Sequence, residues 1–193
     1  MRRLSVLLCT VVLCAACSEP PHKEMNRAQG AIDAARAAGA ERYAPDLLGA
    51  ATTALQQSHD AVDQRDYRLA LSRALDAGDR AQEAAKQAAD NKAKTRSESE
   101  TAINATSAAL EQLEATLKEA SAARVPAPVL ARARKVDADA GASLQKARAA
   151  LGVGNYIEAG AVLKNKTGEM TAQISTIENA IEARTARTAK RKR

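Results

Sequence analysis

The chain has 193 residues, enough for one domain or two small ones, with no Trp or Phe and only three Tyr. Of its 46% hydrophobic residues about half are Ala (47 residues), the best helix former and a poor source of buried area. This composition excludes a thick aromatic core and predicts closely packed helices; no run of alternating β-branched residues signals a strand. The net charge of +6 is concentrated at the ends. Removing Arg2, Arg3 and the cations of residues 184–193 leaves 21 basic against 23 acidic side chains, so the body is near neutral.

Residues 1–16 have the parts of an export signal: Arg2 and Arg3, the apolar run 4–14, then Ala15 and Ala16. That run falls short of the roughly 20 apolar residues that span a bilayer. Leu13-Cys14-Ala15-Ala16-Cys17 resembles a bacterial lipobox, with Cys14 at the position usually held by Leu. The resemblance implies that Cys17 becomes the N-terminus and carries acyl chains, palmitate among them. It also implies that Ser18 sorts the protein to the periplasmic face of the outer membrane. The alternative is general signal-peptidase cleavage after Ala16, which yields a soluble periplasmic protein. Cys9, Cys14 and Cys17 all lie at or before the processing point, so the mature body offers no disulfide, CxxC pair or thiolate metal site.

Residues 17–23 read as a short tether, too short to let the body leave the membrane surface by more than about 20 Å. A first helix is expected over 24–38, with Met25, Ala28, Ile32 and Ala35 on one face and Gly39 as its stop. After a turn over 39–44, Pro45 suits the first turn of a second helix. That helix runs to about residue 64 with Leu48, Ala51, Leu55, Ser58 and Val62 inward. Asp66 caps the next helix through its side chain.

Residues 66–122 are predicted to form one long helix of roughly 85 Å, at about 1.5 Å per residue. Tyr67, Ala70, Ala74, Ala77, Ala81, Ala84 and Ala88 fall in alternating steps of three and four. A polar stretch follows, and the seam resumes one residue out of register at Ile103, Thr106, Leu110, Leu113, Leu117 and Ala120. The stretch reads as polar all round, held by the pairs Lys94–Glu98 and Arg96–Glu100.

Val125-Pro126-Ala127-Pro128 breaks the chain. A helix over 128–151 follows, with Leu130, Ala133, Ala140, Leu144, Ala147 and Leu151 inward. Gly152 and Gly154 make a turn, Asn155 caps, and a last helix over 156–183 carries Leu163, Met170, Ile174, Ile177 and Ile181. An internal duplication is visible: Leu55-Gln56, Ala61-Val62, Asp66-Tyr67 and Ala70 recur at constant offset as Leu144-Gln145, Ala150-Leu151, Asn155-Tyr156 and Ala159. The expected architecture is all-α: helical hairpin or bundle repeats with one long shared helix and coiled-coil-like Ala-rich packing. Its parts are a signal peptide (1–16), a lipid-anchored tether (17–23) and a first bundle (24–90). A polar helical bridge (91–102), a second bundle (103–183) and a basic tail (184–193) complete it.

The run from Ala37 to Leu48, with Ala-Gly at 38–39 and Tyr43-Ala44-Pro45, followed by Leu55, Ala61 and Asp66-Tyr67 to Ala70, resembles an uncharacterised domain family of small helical bacterial lipoproteins. The resemblance covers about residues 24–90. That domain stands alone behind a lipoprotein signal or ahead of an OmpA-like peptidoglycan-binding domain. The family brings no catalytic residues.

Chemistry-bearing motifs are scarce. His22 lies in the tether; His59 shares a helical face with Asp63, which is too few ligands for zinc. No Ser has a base other than His59, and Gly152-Val153-Gly154 is not a phosphate loop. Glu111 and Glu114 read as a solvated helix face, and Tyr43, Tyr67 and Tyr156 as plugs at turns. The expectation is a non-enzymatic protein without cofactor or metal. The candidate sites are lipidation at Cys17 and an anionic-surface contact by Arg184, Arg187, Lys190, Arg191, Lys192 and Arg193. Expected partners are the membrane, through the acyl chains, and peptidoglycan or an envelope protein. Nucleic acid is not expected, because the tail has no aromatic platform. The other functional expectation is a periplasmic, tetratricopeptide-like helical module that holds a protein partner.

Overall fold

A computed structural model describes residues 19–191. Helix makes up 90% of it and no strand occurs among the described residues, as the all-α expectation requires. The elements are α1 (His22–Ala37), α2 (Ala40–Tyr43), α3 (Pro45–Asp63), α4 (Tyr67–Ala122), α5 (Ala127–Gly152), α6 (Tyr156–Leu163) and α7 (Lys166–Arg191). Contacts divide the chain into two compact units between Lys92 and Ala93.

In the first unit α1 begins two residues earlier than expected, taking His22 and Lys23 out of the tether. The Pro20 and Pro21 carbonyls accept from the His22 and Met25 N–H groups at 2.8 and 3.1 Å, which starts the helix. Gly39, at φ +91°, stops it in a conformation that favours glycine. The Tyr43 ring lies 3.4 Å from where a Cβ at Gly39 would stand. Residues 40–43 wind into the single turn α2 instead of the open turn expected. Pro45 opens α3 at its first position. Met25, Ile32, Leu48, Leu55 and the Ala row of α4 from Ala74 to Ala88 close the core. Val62, expected inward, is half-buried, and its neighbour Ala61 takes the buried place.

Asp66 caps α4 as expected, its Oδ1 accepting from the Leu69 N–H at 3.0 Å. From Ala70 to Ala88 every expected Ala of the seam is buried. A row of Ala lets helices approach closely, so many small contacts replace a few large side chains.

The second unit buries Ile103, Thr106, Leu113 and Ala120 of α4, with Ala109 and Thr116 beside them. Leu110 and Leu117, expected inward, are half-buried at the edge of the core. From α5 it buries Leu130, Ala133, Ala140, Leu144 and Ala147, with Ala150 in place of the half-buried Leu151. The single helix expected over 156–183 is two helices. The chain breaks at Lys164-Asn165, where Asn165 sits at φ +68° and its carbonyl accepts the Glu169 N–H at 3.0 Å. Asn visits the left-handed region with little cost, so this break needs neither Gly nor Pro.

The duplication has a backbone counterpart. At the α3–α4 turn the Gln64, Arg65 and Asp66 N–H groups donate to the Asp60, Val62 and Ala61 carbonyls. At the α5–α6 turn Val153, Gly154 and Asn155 donate to Ala149, Leu151 and Ala150, the same bonds at the same sequence offset. Both are Schellman turns with a left-handed residue after the helix, Arg65 (φ 60°) in one and Gly154 (φ 77°) in the other.

Candidate functional site

The lipidation candidate Cys17, with Ser18 and the leader, lies outside the described residues, as do Lys192, Arg193 and the side chain of Arg191. Of the basic cluster, Arg184, Arg187 and Lys190 are described, and all three are exposed. They do not form a loose tail, because α7 continues unbroken to Arg191. Ala, Arg and Lys are strong helix formers, and the hydroxyls of Thr185 and Thr188 donate to the Glu182 and Thr185 carbonyls at 2.8 Å.

The seam on α7 descends Met170, Ile174 and Ile177, all buried, to the half-buried Ile181. The next seam positions are Arg184 and Thr188. Residues 182–190 are exposed on every side, so the bundle's packing ends while the helix does not. The cations stand in the last turns, where the helix dipole favours positive charge. Among the described residues no ion pair involves Arg184, Arg187 or Lys190.

The polar stretch of α4 has no apolar stripe, as expected, but one of its faces is turned inward. Its inward positions are Asn91, Thr95 and Ser99, continuing from Ala88 in steps of three, four and four before Ile103. Ala88 to Ile103 thus spans fifteen residues where two heptads would span fourteen, which accounts for the shift of one residue in register. In the first unit Asn91 Nδ2 donates to the Tyr43 carbonyl at 2.6 Å. In the second, the buried Ser99 hydroxyl reaches the Tyr156 carbonyl at 2.7 Å. The expected pairs Lys94–Glu98 (3.9 Å) and Arg96–Glu100 (2.8 Å) form on the outer face. Glu100, by its hydrogen bond and its charge, raises the already high pKa of Arg96. The step of three from Ala88 to Asn91 was the sequence signal for this inward row; residue polarity concealed it.

Each tyrosine packs at its own turn. Tyr43 is buried over Gly39, Tyr67 is half-buried, and the half-buried Tyr156 has the Arg96 guanidinium 6.0 Å from its ring centroid. His59 is exposed beside a hollow of about 200 Å³ between α1 and α3. Asn155 was expected to cap α6, but its side chain meets the Glu158 carboxylate instead of a backbone N–H. Asp137 on α5 has one carboxylate oxygen buried without a hydrogen-bond partner. That burial, and then the charge of Glu114, raise its pKa.

Among the described residues no cluster of three His, Cys, Asp or Glu is placed to hold a metal ion. No described helix is long and apolar enough to cross a membrane. Among the described residues five large apolar side chains are exposed: Leu69, Leu71 and Leu75 in the first unit, and Val153 and Ile157 in the second. The expected seams include none of the five: the three leucines sit beside seam positions, and Val153 and Ile157 lie at the α5–α6 turn. No protein-family model, no curated protein and no solved structure matches the chain.

Proposed function

We propose that the chain is a lipid-anchored, non-enzymatic element of the bacterial cell envelope. In this reading it is held by acyl chains on Cys17 at the periplasmic face of the outer membrane and contacts anionic envelope material through the end of α7. The observation behind the contact is the overhang: a helix that outlasts its apolar seam and presents Arg184, Arg187 and Lys190 to solvent. Exposed cations of this kind bind carboxylates of peptidoglycan stem peptides or anionic headgroups by charge, with affinity that falls as salt rises. The lipobox-like leader and the resemblance to small helical lipoproteins support the location.

The test compares the full chain with a variant carrying Arg184→Gln, Arg187→Gln and Lys190→Gln on isolated peptidoglycan and on anionic vesicles. The proposal expects salt-sensitive binding that weakens in the variant; equal binding at all salt concentrations refutes the contact. Separately, Cys17→Ser should abolish palmitate incorporation and membrane association. A wild type that never incorporates palmitate removes the anchor.

A second reading, a helical module for a protein partner, draws on Val153 (82% exposed) and Ile157 (45%) beside the α5–α6 turn. It expects one stoichiometric crosslinked partner from envelope extracts, lost on Val153→Asp; recovery of peptidoglycan or lipid alone counts against it.

A further inference from the structure

We infer that Leu71 and Leu75 are the surface on which the first unit sits against the bilayer, an inference that rests on the lipid-anchor reading. The two side chains are 38% and 50% exposed and stand one turn apart on α4. Leu71 lies beside the start of α1, and Leu75 follows it one turn on along the same face of α4. Leu71 closes a hollow of about 500 Å³ whose other walls are residues 19–24, the N-terminal end of the described chain. Leu69 points elsewhere, towards Gln57 and Asp60 of α3.

The position of that hollow selects the occupant. Glu19 is two positions on from Cys17, and an extended chain spans at most about 3.5 Å per residue. An acylated Cys17 therefore enters the membrane within about 7 Å of Glu19, which itself lines the hollow that Leu71 closes. Exposed leucines there stand within reach of the headgroup layer. Arg68, exposed on the same face one turn earlier, is placed for lipid phosphates. Asp79, one turn beyond Leu75, ends the apolar surface, so the contact is shallow.

The chain contains no Trp, so Leu71→Trp, Leu75→Trp and His59→Trp each introduce a single indole. His59 serves as the control because it lies on α3, lining the hollow with Gln29 and Arg36 and not the one that Leu71 closes. The full acylated chain is reconstituted into phosphatidylethanolamine–phosphatidylglycerol vesicles with bromine-labelled tails. The indoles at 71 and 75 should lose most of their emission, and the indole at 59 should keep its own. Flotation with the vesicles but equal emission at all three positions overturns the bilayer seat and leaves the anchor standing. A chain that does not float removes the anchor and the seat together. A blue shift at 71 and 75 that depends on protein concentration and not on lipid assigns the surface to a second copy and also overturns the proposal.

Discussion

Ser99 on α4 and the Tyr156 carbonyl at the start of α6 are 57 residues apart in the chain and 2.7 Å apart in space. The same hydroxyl lies 2.8 Å from the Thr95 carbonyl, so one proton is shared between a local and a distant acceptor. Gly160, one turn along α6, is equally close: a Cβ there would stand 3.3 Å from the Ser99 oxygen. The second unit is thus closed at this point by a small polar residue facing a residue without a side chain.

Ser99→Ala should therefore destabilise the chain by about 1 kcal/mol, the typical net value of a hydrogen bond. Ser99→Leu restores an apolar seam residue yet should cost more, about 1–3 kcal/mol, because the larger side chain loses the hydrogen bond and also crowds the backbone at Gly160. Urea denaturation of the full chain measures both. A Leu variant more stable than wild type would show that the contact is loose.

The parts legible in the sequence are those encoded by period. The Ala row 70–88, the apolar row through Leu113 and Met170, the Asp66 cap and the paired turns after residues 61 and 150 all follow from spacing and local chemistry. What was missed lies where chemistry and period disagree. Asn91 and Ser99 are polar residues at inward positions, and each is satisfied by a main-chain carbonyl far along the chain, which no local pattern reveals. Asn165 breaks a helix without Gly or Pro. The candidate site was legible as a cluster of cations and not as a helix, because the apolar seam ends at Ile181 and helix beyond it rests on propensity alone.

The matched turns yield a second prediction. Arg65 and Gly154 occupy the same left-handed position, which costs a side-chain-bearing residue about 1–2 kcal/mol. Arg65→Gly should stabilise the chain, by somewhat less than that because Gly loses more freedom on folding. Gly154→Ala should destabilise it by a similar amount, although no atom lies within 4 Å of the new Cβ. Thermal denaturation of the two variants should shift in opposite directions. Shifts of the same sign would mean that backbone conformation is not what distinguishes the two turns.

Asp137 supplies a pH dependence. Burial of one oxygen, then the negative charge of Glu114, hold its folded-state pKa above the ordinary 3.8. The protonated form is the one the fold prefers, so this contribution to stability is complete below the unfolded pKa. It is lost as pH rises through the folded value. Asp137→Asn should therefore raise the melting temperature at pH 7 and change it little at pH 3. The gain is modest, because the residue is only half-buried and solvent screens its charge. Melting curves that differ by the same amount at both pH values would remove Asp137 as the cause.

The last prediction concerns the polar stretch within α4, which lacks apolar residues at its inward positions and still stays helical. Two outer ion pairs contribute at most about 0.2–0.5 kcal/mol each, and both are largely exposed. Against them, Asn91, Thr95, Ser97 and Ser99 each lower helix propensity by several tenths of a kcal/mol relative to Ala. The propensity cost, about 2 kcal/mol in all, exceeds what the ion pairs return, about 1 kcal/mol at most. The balance is tipped by the inward bonds of Asn91 and Ser99 to distant carbonyls, which exist only when the backbone there is helical. Ser97 faces solvent, so its replacement probes the backbone alone. Ser97→Ala should stabilise by about 0.5 kcal/mol through propensity. Ser97→Pro should cost about 3 kcal/mol or more by removing a main-chain bond and crowding the preceding turn. In the wild type, amide hydrogens of residues 93–98 should exchange far more slowly than those of an unstructured chain. Free exchange there, with a Pro variant as stable as the wild type, would show that α4 is two helices joined by a hinge.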